Sequence, residues 1–213
     1  MRTKMVGEGL TWSVCGGATR AEIDDAIIDH AAELFARHGY KETSVQRIAD
    51  ATGYSKTGLL HRFASKEALW AAVVERCTAT VREVSASAAA VPPGPARDLA
   101  VLRALADVSL RHRGFIALIL SAFSQLTEPG ESALLDEIGA ALLAAFGLQP
   151  TGSAPARPAP TRPEVLRLAR VTGALGALAV TALGLRNLPP DNVREHLVTV
   201  SYDALGHPHP AGH

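Results

Sequence analysis

Glycines at 39 and 53 cut the helical periodicity of residues 22–63 into short pieces, and this constrains the fold more than any other feature of the sequence. Before Gly39, apolar residues fall at Ile23, Ile27, Ala31, Leu34 and Phe35, the spacing of one helix face. Acids crowd the first turns of that run, and Arg37 and His38 lie near its end, as the helix dipole favours. A second run, TSVQRIADAT, turns Val45, Ile48 and Ala49 inward, and both Thr43 and Ser44 are suited to cap it. Gly53 closes the run, and Ser55 opens a third helix with Leu59 and Phe63 inward. Ser65 opens a fourth, KEALWAAVVERCTATVREV, which carries Leu69, Val73, Val74, Cys77 and Val81 at helical spacing well past the length of the others.

The remainder is helical too. Prolines at 92, 93 and 95 break the chain, and amphipathic segments are expected at 97–112, 114–127 and 131–146. A Pro/Ala/Thr-rich stretch at 148–162 reads as a flexible loop, followed by helices at 163–187 and 190–205. Aromatics make up only 5% of the chain, Ala and Leu abound, and no strand-period run is present, so the fold class is all-α. The expected organisation is a flexible tail over 1–20, a domain of three short helices over 21–66, a larger helical bundle over 67–206 reached through the long fourth helix, and a loose tail over 207–213. The prolines between His207, His209 and His213 give no fixed geometry for a metal ion.

The chain is electrically neutral overall, with 21 basic and 21 acidic residues, so any attraction to nucleic acid must be local. It is local at 41–66, where Lys41, Arg47, Lys56, Arg62 and Lys66 face only Glu42 and Asp50. Helix, glycine turn, helix is the pattern of a helix-turn-helix, in which the N-terminal end of the second helix enters the major groove. A solvated basic hairpin would show the same pattern. The order of AAELFARHGY, TSVQRIADATGYSKTGL and F-ASKEAL across 22–74 further resembles the N-terminal domain of TetR-family transcriptional regulators.

That resemblance implies a DNA-binding domain over 21–66 and a ligand-binding and dimerisation domain over 67–206, a homodimer with one helix-turn-helix per subunit, a palindromic operator in double-stranded DNA, and repression relieved by a small-molecule effector. It also implies roles by position. Thr43 or Ser44 resembles the phosphate-contacting cap, and Gln46 the base-reading residue of the first turn. Ser55 starts the recognition helix, Lys56, Thr57 and His61 resemble its outward residues, and Lys66 the lysine that grips the DNA backbone. Leu60 stands where the family usually has tyrosine, so His61 or Arg62 is expected to supply the missing phosphate contact. Thr43-x-x-Gln46 is also a capping-box pattern, and Gln46 cannot both fold back on the cap and reach a base.

The second half is less explicit. Ser109, His112, Phe115, Ser121, Phe123 and Gln125 are candidate effector contacts, as polar and aromatic groups set among aliphatics. Gly173, Gly176, Ala177, Val180 and Gly184 make one side of the 163–187 helix small, which suits close approach of a partner helix, either across a dimer or within one subunit. The run 171–185 is too short to span a membrane, and two unpatterned cysteines, Cys15 and Cys77, suit a reduced cytoplasmic protein. An enzyme would be the competing function, or a dimeric adaptor that has lost DNA binding. No phosphate loop, nucleophile elbow, H-E-x-x-H or C-x-x-C pattern occurs, so no catalytic residue, cofactor or metal is expected.

Overall fold

The computed structural model describes residues 19–124, 133–148 and 161–207. Among the described residues there are nine helices and no strand. They are α1 (Arg20–Glu42), α2 (Val45–Thr52), α3 (Lys56–Arg62), α4 (Lys66–Ala88), α5 (Pro95–Arg111), α6 (Arg113–Ser124), α7 (Ala133–Ala145), α8 (Arg162–Gly184) and α9 (Pro190–Leu205).

Side-chain caps set the starts of the first four helices. Thr19 and Glu22 form a reciprocal capping box at α1. Ser44, Ser55 and Ser65 each accept a hydrogen bond from the backbone three residues on, at 3.1, 3.0 and 3.1 Å. The helical path of α1 is interrupted at Gly39 (φ 78°, ψ 158°), so the stop expected there falls inside the last stretch of the element. Gly53 occupies the left-handed region (φ 74°), which lets the chain reverse between α2 and α3 within a few residues.

One continuous core joins the two halves. Ile27, Phe35, Ile48, Leu59 and Leu69 fill the space among α1 to α4, and Val101, Leu102, Phe115, Leu142, Leu178 and Leu197 continue it through the later helices. α1 packs along α6, α4 against α7, and α9 against both α5 and α8. The α1–α6 approach is close: a Cβ on Gly114 would lie 1.8 Å from the Asp29 carbonyl oxygen. Cys77 is buried in this core, where burial, helped by Asp29, pushes its thiol up to about 12.

The polar interior holds one acid that is 1% exposed, Asp98. Its carboxylate accepts from Arg167 Nη2 at 2.8 Å and pairs with His207 Nε2 at 2.6 Å. His207, expected in the loose tail, is therefore docked on the start of α5. His209 and His213 lie outside the described residues, as do 1–18 and 149–160 of the expected N-terminal tail and loop. By length and composition α8 could cross a membrane, but its Val171, Ala174, Leu175, Leu178 and Ala182 are buried in the core.

Candidate nucleic-acid interface

α2 and α3 meet through Ile48, Ala49 and Leu59, all buried. The remaining faces of these helices are turned to solvent, and they carry Ser44, Gln46, Ser55, Lys56, Thr57 and His61. Ser55 Oγ is engaged by the Gly58 amide, so the first turn of α3 is fixed before any ligand arrives. Gln46 Nε2 donates to Asp50 Oδ1 at 2.6 Å, one turn along α2. The capping box through Gln46 is not formed, because Ser44 and not Thr43 is the cap.

Three of the nine expected DNA-contacting residues are occupied inside the domain. Thr43 is 0% exposed, and its hydroxyl donates to the carbonyls of Gly39 (2.8 Å) and Leu34 (3.2 Å). It closes the end of α1 and cannot meet a phosphate from that position. Lys66 Nζ donates to the Tyr40 carbonyl at 3.0 Å and lies 4.3 Å from the centre of the Tyr40 ring. Its charge therefore sits at the carbonyl end of α1, where the helix dipole favours a cation. Arg62 pairs with Asp24 of α1 and stacks its guanidinium over Tyr54 at 5.6 Å. The other six, Ser44, Gln46, Ser55, Lys56, Thr57 and His61, are exposed on the front of α3 and the first turn of α2.

The arrangement depends on three carboxylates of α1 that the sequence shows only as acids in the first turns of a helix. Asp24 holds α3 through Arg62, and Asp25 holds α4 through Arg76 Nη2 at 2.8 Å. Asp29 holds α6, accepting from the Gly114 amide at 3.0 Å and the Phe115 amide at 3.4 Å. Burial raises the Asp29 pKa, an effect that His112 and the two amides oppose. Burial lowers the pKa of His112 in turn, with the Asp29 charge opposing and Arg76 and Arg111 reinforcing. One helix thus ties the recognition helix to the second half of the chain.

A cleft of about 420 Å³ opens between α4 and α5, with Arg76, Arg111 and His112 among its lining residues. Of the candidate effector contacts whose side chains are described, Ser109, His112 and Phe115, only His112 lines it. Phe115 belongs to the core, where its ring stacks on His112 at 5.0 Å. Ser109 is buried, with its hydroxyl donating to the Ala106 carbonyl. The side chains of Ser121 and Phe123, and all of Gln125, lie outside the described residues. On α8, Gly173, Gly184 and Val180 are exposed, Val180 to 58%, while Gly176 and Ala177 are half-buried.

The sequence profile of bacterial regulatory proteins of the tetR family matches residues 27–73, from within α1 to within α4. The chain carries a TetR-family N-terminal domain over residues 27–73. It is 35% identical over 72 residues to the HTH-type transcriptional repressor AcnR of Corynebacterium glutamicum, a match covering 34% of this chain and 38% of that protein. It is 42% identical over 52 residues to the HTH-type transcriptional repressor ComR of Escherichia coli, covering 24% and 25%. The likeness in sequence thus spans well under two thirds of these relatives. The solved structure of a TetR-family transcriptional regulator from Bordetella parapertussis superposes with a TM-score of 0.53 at 26% identity, over 85% of this chain and 94% of that one. The shared TetR fold therefore extends past the helix-turn-helix into the C-terminal helices.

Proposed function

We propose that this TetR-family chain is a homodimeric, cytoplasmic repressor that binds a palindromic operator in double-stranded DNA and leaves it when a small molecule occupies the C-terminal helices. The carrying observation is the solvent face of α3. Lys56, Thr57 and His61 stand exposed on a helix whose first turn is capped by Ser55 and whose last residue is fixed to α1. Such a helix is held rigidly enough to enter a major groove, and the exposure of Ser44 and Gln46 beside it supports contacts to the backbone and a base edge. Repressor activity in the two relatives supports the direction of regulation.

The dimer rests on α8. A Cβ added at Gly173, Gly176 or Gly184 would meet nothing within 4 Å, so packing inside one subunit does not account for these glycines. Each helical glycine costs roughly 1 kcal/mol relative to alanine, a cost that a closely approaching partner helix can offset. Val180, Leu166 on α8 and Val200 on α9 are exposed apolar residues that such a partner would cover. Sedimentation of the protein with a duplex from upstream of its own gene tests both parts. Two chains on each duplex, displaced by unlabelled upstream DNA but not by random DNA, is the expected result. One chain per duplex, or equal displacement by both, contradicts it.

A further inference from the structure

Arg76 stands where the α4–α5 cleft meets α1, and its guanidinium is half used. Nη2 donates to Asp25, whereas Nε is buried without a hydrogen-bond partner. A buried donor without an acceptor is costly, and a carboxylate satisfies two neighbouring guanidinium N–H groups at once. Arg111 adds a second guanidinium to the cleft and His112 an imidazole, while Val84, Ala104 and Val108 give it an apolar side. Two acids also line it. Asp107 is neutralised by Arg194, which donates to it from α9 at 2.5 and 2.9 Å, and Glu83 is left to repel a doubly charged guest.

We propose that this cleft binds a small organic monocarboxylate whose carboxylate takes the Arg76 guanidinium from Asp25. The inference rests on the reading of the chain as a ligand-released repressor and names the class of ligand and the residue that transmits its arrival. Loss of the Arg76–Asp25 pair removes one tie between α1 and α4 and lets α1 shift on its remaining contacts. Because α1 also holds α3 through Asp24 and Arg62, the recognition helix loses its fixed orientation toward DNA.

Hexanoate and its neutral amide, hexanamide, are the probes, with inorganic phosphate as a third arm, titrated calorimetrically into the full chain. Hexanoate should bind in the millimolar range expected of so small a ligand, with hexanamide and phosphate each at least roughly tenfold weaker. Arg76→Gln should abolish hexanoate binding, and Asp25→Asn, which removes the competing carboxylate, should tighten it several-fold. The opposite signs of the two variants separate competition from simple loss of folding, and Asp25→Asn carries the test alone if Arg76→Gln fails to fold. Absence of hexanoate binding, equal binding of acid and amide, equal binding of phosphate, or weaker binding by Asp25→Asn would overturn the proposal. The same preparations are assayed for operator binding without probe. Normal operator binding with no hexanoate site sinks this inference alone, and absent operator binding sinks the repressor reading itself.

Discussion

Asp29 and Gly114 are locked together across the boundary between the two halves: the Asp29 carboxylate accepts the Gly114 amide at 3.0 Å, and the Gly114 Cα lies against the backbone of α1. Both contacts need a residue without a side chain at 114. A methyl carbon at this position would stand 1.8 Å from the Asp29 carbonyl oxygen, a backbone collision that no rotamer relieves. Gly114→Ala should therefore push α6 off α1 and destabilise the protein by about 1–3 kcal/mol or more. Urea denaturation checks this. An unchanged midpoint would mean that the helices can separate at no cost.

The two lysines of the helix-turn-helix should part company. Lys56 is exposed on the front of α3, so Lys56→Ala should weaken operator binding and lower the salt slope by about one unit if it meets a phosphate, or cost about 1–3 kcal/mol on the preferred site if it reads a base. Lys66 is committed to the Tyr40 carbonyl and ring, so Lys66→Ala should lower the thermal midpoint and leave the salt slope nearly unchanged. Salt titrations of DNA binding beside melting curves separate the roles. A Lys66→Ala protein of normal stability with a reduced slope would return this lysine to the DNA surface.

Much of this architecture is legible in the sequence because local rules fix it. Serines at 44, 55 and 65 announce their helices, Gly53 announces the turn, and Ile48, Ala49 and Leu59 carry the helical period of the buried faces. What is not legible depends on contacts distant in sequence. Thr43 looks as good a cap as Ser44 until the carbonyls of Leu34 and Gly39 come to meet it. Arg62 and Lys66 look like phosphate ligands until α1 folds over them. Asp24, Asp25 and Asp29 look like ordinary acids of an amphipathic helix, and their spacing gives no hint that each reaches a different element. His207 follows the same logic, since its partner Asp98 is 109 residues away.

Acid should loosen the junction between the halves. Burial lowers the His112 pKa below its ordinary 6.5, so the unfolded chain binds a proton there more readily than the folded one. Stability from this group is fully present above pH 6.5 and is lost as pH falls from there toward the depressed folded value. His112→Gln should remove that component, leaving a shallower fall in thermal midpoint between about pH 7.5 and 5.5 than the parent shows. Identical slopes in the two proteins would mean that His112 is solvated in the folded state.

Assembly has its own test. Gly176 sits half-buried on α8 with open space where its side chain would be. Gly176→Leu should keep the fold yet hold two facing helices apart, shifting the protein toward monomer. Linking two half-site contacts raises affinity by about 10²–10⁴-fold, so operator binding should fall by a comparable factor while helical content persists. Analytical ultracentrifugation and circular dichroism decide the matter. A Gly176→Leu protein that is fully dimeric would move the interface elsewhere.

If α3 reads DNA as one of a symmetric pair, the purified protein should select its own sites from fragmented genomic DNA. Recovered fragments should share a palindrome with half-sites about 34 Å apart, one helical turn. Repeating the selection with Lys56→Ala and His61→Ala should blur or lose that palindrome. Recovery of unrelated fragments with no common symmetric site, at the same salt at which the protein is folded and dimeric, would show that α3 does not read DNA in this way.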